Sequence, residues 1–164
     1  NSINPDGKGT VILQNSFIDD GVKSVSSKEN ILVINIFSTK MINVAGFLMS
    51  VFEIFSRNNV SVDLISTSEA NISVTVDASQ NVDNVIRELS SFADVYVDRD
   101  KAQVSVIGKN LDNVTGILEK TFAPLSDYRI YMISQGASYV NISFVVDRTA
   151  LDKVVSLLHR SLFG

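Results

Sequence analysis

The chain has 164 residues, 45% of them hydrophobic, and a formal net charge of −4. That length suits one average domain or two small ones, and the acidic balance with scattered Lys and Arg argues against a nucleic-acid surface, which needs clustered cations. Cysteine is absent and His159 is the lone histidine, which excludes disulfides and thiolate metal sites and disfavours a histidine-built one.

Asn1 to Asp20, holding Pro5, Gly7 and Gly9, reads as a connector or domain tail. Gly7-Lys-Gly-Thr10 lacks the spacing of a phosphate loop and carries little weight. Gly21-Val-Lys-Ser-Val-Ser26 alternates like a strand, and Ile31 to Phe37 is an apolar run of strand length. Leu48, Val51, Phe52 and Phe55 recur at helical spacing and predict a helix from Gly46 to Arg57, ended by Asn58-Asn59. Val60, Val62 and Leu64 alternate with Ser61, Asp63 and Ile65. After a Ser-Thr-Ser-Glu turn, Ile72, Val74 and Val76 continue the pattern as a hairpin. Val82, Val85, Ile86 and Leu89 make a second helical stripe, and Ala93, Val95 and Val97 a closing strand.

The same units return about 70 positions later. Asn43-Val-Ala-Gly-Phe-Leu-Met-Ser-Val-Phe52 reappears as Asn113-Val-Thr-Gly-Ile-Leu-Glu-Lys-Thr-Phe122, and Asn71-Ile-Ser-Val74 as Asn141-Ile-Ser-Phe144. Repetition in the same order marks two modules of one kind. The second copy predicts strand Gln103 to Ile107, helix Asn113 to Phe122, strands Tyr128 to Ser134 and Asn141 to Val146, and helix Thr149 to His159.

Strand, helix, strand, strand, helix, strand is the order of an α+β ferredoxin-like βαββαβ unit, with both helices on one face and the other face free. The second copy lacks a closing strand, because Ser161-Leu-Phe-Gly164 is too short, and an unfilled sheet edge is a liability. Residues 21–29 are expected to cross over and join 101–164 as the second module, interlocked with a first module spanning 30–100. No apolar run approaches the ~20 residues of a membrane span. With no secretory leader at its start, the chain is expected to be soluble and cytoplasmic, and the Asn-x-Ser/Thr sequons at Asn59, Asn71, Asn113 and Asn141 to be chance matches.

Met41-Ile-Asn-Val-Ala-Gly-Phe-Leu48 followed by Val60-Ser-Val-Asp-Leu-Ile-Ser-Thr-Ser-Glu69 resembles the effector-binding module of lysine- or threonine-inhibited aspartate kinases. Gly136-Ala-Ser138 before Asn141-Ile-Ser143 resembles the second module of the same regulatory region. The resemblance implies paired ACT domains, the first binding an amino-acid effector and the second serving structure and pairing. It also implies homodimerisation through ACT domains and contact with a kinase domain of the same polypeptide, of which Asn4 to Thr10 looks like the last piece. The family's catalytic Lys-x-Gly-Gly-Ser/Thr signature is missing, so no catalytic residues, no metal site and no cofactor are expected in this part, and ATP and Mg2+ belong to the intact kinase.

Candidate effector-binding residues follow. Gly46 opens a helix whose first amides, at Phe47 and Leu48, suit an α-carboxylate; a plain loop glycine is the bland alternative. Asp63, directed away from the helices, suits an ammonium, unless it is an ordinary solvated aspartate. Its neighbours Ser61 and Val62 and the turn residues Thr67, Ser68 and Glu69 line the family's pocket, although a hydroxyl-rich turn alone means little. Glu69 adds charge that favours lysine over threonine. Met41 matches a pocket position, whereas Val44 replaces a serine common in lysine-sensitive members. In the second module Tyr131, Gln135 and Gly136 offer less charge complementarity, which implies a structural role there, and His159 is expected at the surface.

Overall fold

The computed structural model describes residues 20–39, 45–137 and 139–164. The expectations for residues 1–19, and for Met41, Val44 and Ser138, therefore lie outside the described residues. Elements run β1 (Gly21–Phe37), α1 (Phe47–Arg57), β2 (Ile65–Thr67), β3 (Asn71–Asp77) and α2 (Asp83–Leu89). β4 (Asp94–Lys109), α3 (Ile117–Phe122), β5 (Met132–Ser134), β6 (Asn141–Asp147) and α4 (Leu151–Phe163) complete the chain. The described strands form one antiparallel sheet in the order β2-β3-β1-β4-β6-β5.

The predicted strands Gly21 to Ser26 and Ile31 to Phe37 are two halves of β1, and those at Ala93 to Val97 and Gln103 to Ile107 are two halves of β4. Each long strand changes phase at a residue with positive φ, Asn30 (55°) and Asp100 (54°), residue types that tolerate the left-handed region. The upper half of β1 lies between β3 and β4, pairing Ile31 to Phe37 with Asp77 to Asn71. Its lower half pairs Gly21 to Lys28 with Lys109 to Gln103, filling the edge that the second module lacks. Two ferredoxin-like modules thus share a pair of strands.

Each module buries one sheet face under its own helices. Leu32, Ile34, Ile36, Val51, Phe55, Val74, Val85 and Leu89 form the first core, and Val104, Val106, Phe144, Val146, Val154 and Leu158 the second. The opposite face is not left free as expected. Ile31 and Val33 of β1 meet Met132 of β5 and Val145 of β6, with Leu64 and Tyr131 packed alongside. This covering of both faces explains the unbroken burial of Ile31, Leu32, Val33 and Ile34. The curvature brings the two ends of the sheet together, so that the Ser134 hydroxyl donates to the Ile65 carbonyl at 3.2 Å.

Three further expectations need correction. Strands predicted from Val60 and Tyr128 shrink to Ile65–Thr67 and Met132–Ser134. In the first hairpin the Asp63 amide donates to the Thr75 carbonyl while the Thr75 amide donates to the Leu64 carbonyl, so two residues face one. That bulge breaks the alternation and sends Val62 to the first core but Leu64 to the opposite face. The helix predicted from Asn113 begins only at Ile117, after a 3-10 turn at Leu111–Asn113 and a left-handed Gly116. Finally, the helix predicted from Thr149 to His159 runs from Leu151 to Phe163, and His159, exposed as expected, has its ring 5.2 Å from that of Phe163.

Candidate functional site

Gly46 holds φ +90°, which turns the backbone sharply before α1. The first intrahelical bond runs from the Ser50 amide to the Gly46 carbonyl at 3.0 Å, so helix geometry aims the Phe47, Leu48 and Met49 amides out of the helix end. Phe47 anchors this end by burying its ring edge-on against Phe92, with centroids 5.8 Å apart, whereas Leu48 and Met49 are exposed. The end also carries the β2–β3 turn. The Ser68 amide donates to the Asn71 carbonyl at 2.8 Å, and the Ser38 amide, just past β1, donates to the Ala70 carbonyl at 3.0 Å. Thr67, Ser68 and Glu69 are exposed there.

Ser61, Val62 and Asp63 occupy the other end of the module. Gln80 clamps Ser61, accepting from its amide at 2.6 Å and donating to its carbonyl at 2.9 Å. Asp63 faces away from the helices, as expected, but its carboxylate already has a cation. The Lys28 ammonium lies 2.6 Å from Asp63 Oδ2 and 3.4 Å from Asp77 Oδ2. The hydrogen bond to Asp63, with smaller help from Asp77, holds the Lys28 ammonium above its ordinary pKa. The Asp77 carboxyl sits below the usual carboxylate range, chiefly because the Ser79 hydroxyl and amide donate to it.

The predicted site residues therefore fall into two clusters within one chain. Asp63 is level with Thr75 on β3 and Ser68 with Asn71, four residues farther along, or about 13 Å at strand rise. A cavity of about 500 Å3 opens at the Phe47 end, lined by Phe37, Ser38, Ala70, Ser91 and Phe92 among others, and among the described residues none of the predicted ones lines it. Sequence reasoning missed Lys28 and Asp77: nothing in a strand lysine signals a partner 35 positions away.

In the second module the equivalent position is closed. Tyr131, whose amide donates to the Val145 carbonyl as that of Asp63 does to Thr75, sends its hydroxyl to Asp147 at 3.0 and 3.1 Å. Lys101 lies 2.9 Å from Asp147 and 4.2 Å from the Tyr131 ring centroid, with Arg129 also stacked on that ring at 4.5 Å. Lys101 keeps 11% exposure against 39% for Lys28. Among the described residues no three His, Cys, Asp or Glu side chains could hold a metal, and no helix is long and apolar enough to cross a membrane.

Comparison with known proteins follows the same division. The ACT domain model matches twice, over residues 34–90 and 104–162. Aspartokinase 1, chloroplastic, of Arabidopsis thaliana is 38% identical over 99% of this chain and 31% of its own length. Lysine-sensitive aspartokinase 3 of Escherichia coli is 31% identical over 99% of this chain and 38% of its own length. The crystal structure of E. coli aspartokinase III with lysine and aspartate, in its T state, superposes with a TM-score of 0.85 at 32% identity, covering 99% of this chain and 38% of that one. The chain spans about a third of each of these relatives. It belongs to the ACT domain family, in the tandem form that makes up the regulatory portion of aspartate kinases.

Proposed function

We propose that this region senses an end-product amino acid, lysine in first place and threonine next, at an interface between the first modules of two copies, and so feedback-inhibits an aspartate kinase. The intact polypeptide would transfer phosphate from ATP, with Mg2+, to L-aspartate; the residues of this region bind and relay. A cytoplasmic setting is part of the same proposal.

One observation carries the two-copy reading: Asp63 and the Phe47 and Leu48 amides stand at opposite ends of one module. The carboxylate and ammonium of an amino acid are separated by a single carbon, so both groups of one chain cannot grip the two poles. A two-fold axis that runs the first modules of two copies in opposite directions would bring the Asp63 carboxylate of one copy towards the α1 start of the other. Thr67, Ser68 and Glu69 already lie at that start, where Glu69 would meet the second ammonium of lysine. Exposed Leu48, Met49 and Ile65 flank the same region and would be covered in such a pair. Occupancy then favours the subunit arrangement that binds the effector better, with a coupling of ~1–3 kcal/mol typical of such linkage.

The Lys28–Asp63 pair favours a second reading, a pairing module whose acidic position is satisfied internally. Calorimetric titration with lysine, threonine and methionine separates the two. Heat with lysine that vanishes in Asp63→Ala supports the sensor, and silence with all three supports pairing alone.

A further inference from the structure

We propose that Lys28 is a built-in competitor for the effector's ammonium group at Asp63, and that Asp77 is the position to which it retreats when the effector binds. The inference rests on the sensor reading above and concerns the regulation of that site.

Three observations carry it. Lys28 places its ammonium 2.6 Å from Asp63, the group that the effector's own ammonium requires. One carboxylate cannot serve two cations in the same position without strong repulsion between them. Asp77 stands only 3.4 Å from the same nitrogen, so a rotation of the lysine stem exchanges one carboxylate for the other without leaving the charge unpaired. Asp77 is already held by Ser79, whose hydroxyl and amide lie 2.6 and 2.9 Å from Oδ1, while Oδ2 faces Lys28. The receiving position is thus preformed.

The repeat supplies the contrast. In the second module Lys101 is wedged between Asp147 and the Tyr131 ring and is buried, and an aromatic ring stands where the first module has Asp63. There the cation is a fixture and no carboxylate is left to receive a ligand. In the first module the cation arrives from the half of β1 that completes the other module, on a flexible stem with 39% exposure. A lysine held this lightly can be displaced from Asp63, and at Asp77 it still ties its own half of β1 to β3 of the first module.

The test is a calorimetric titration of the full chain with lysine. An exposed ion pair contributes little, so Lys28→Met should tighten lysine binding by roughly two- to five-fold. Asp77→Asn removes the retreat and should weaken binding by a similar factor. Because Asp77 acts through Lys28, the double variant should bind like Lys28→Met, a non-additivity that a general loss of stability does not produce. Unchanged or weaker binding in Lys28→Met, with Asp63→Ala still abolishing it, overturns the competitor and leaves the site standing. If Asp63→Ala binds lysine as the parent chain does, or if parent and Lys28→Met are both silent, the site reading fails and takes the competitor with it.

Discussion

Gly46 and Gly116 adopt the same left-handed backbone, φ +90° and +75°, and each is followed directly by the first residue of a helix, Phe47 in one module and Ile117 in the other. Among the described residues, no atom of a more distant residue lies within 4 Å of where a Cβ would stand at either glycine, so a side chain there meets conformational strain. Gly46→Ala and Gly116→Ala should each lower stability by about 1–2 kcal/mol in urea titrations. Gly46→Ala alone should weaken lysine binding, since only the first module offers Asp63. Equal loss of binding in both variants would argue that these glycines act on the fold and not on a site.

The shared long strands make the two modules one cooperative unit. Phe55 fills the first core and Phe144 the second, both deeply buried. Either Phe→Ala change should cost about 3–5 kcal/mol and shift one common unfolding transition, read by circular dichroism and intrinsic fluorescence together. A variant that unfolds in two separate steps would show that β1 and β4 do not tie the modules.

Lys101 and Asp147 predict a pH profile. The Lys101 hydrogen bond, assisted by the Tyr131 hydroxyl, holds Asp147 below its ordinary 3.8, so its contribution is present above that value and is lost as pH falls through the lowered one. Burial by itself pushes Lys101 down, but Asp147 and Tyr131 outweigh it and raise it above 10.5. That contribution is complete below 10.5 and is lost as pH rises through the raised value. Lys101→Met should flatten both flanks of a stability profile measured by urea unfolding between acid and alkaline limits. The loss at neutral pH should be about 1 kcal/mol, because Asp147 keeps 43% exposure and water screens the pair. Unchanged flanks would remove this pair from the balance.

Glu69 lies with Thr67 and Ser68 on the turn beside the α1 end and is exposed. If it meets the second ammonium of lysine, Glu69→Gln should weaken lysine binding by roughly two- to five-fold and leave threonine binding unchanged in parallel titrations. Equal loss for both amino acids would place Glu69 elsewhere.

Periodicity made the helices legible, since of the stripe Leu48, Val51, Phe52 and Phe55 the last three pack on the first core, although Leu48 is exposed and Phe47 and Ile54 are buried in its stead. The missing closing strand exposed the crossover of Gly21 to Lys28. What periodicity could not convey is where it is interrupted. The bulge opposite Thr75 places Leu64 on the face opposite Val62, and hydrogen bonding between backbone groups leaves no trace in residue type. The burial of Ile31 and Val33 against Val145 depends on sheet curvature, which two copies of a short motif do not specify. The site was legible as residue types and not as one place: Gly46 and Asp63 are found at opposite ends of their module, and Lys28 reaches Asp63 only through the strand exchange.

The most direct test of the two-copy site is a crystal structure of the chain grown with lysine. The account predicts the lysine carboxylate on the Phe47 and Leu48 amides of one copy and its α-ammonium on Asp63 of the partner subunit. Lysine held at both poles by one copy, or bound away from Asp63 altogether, would contradict it.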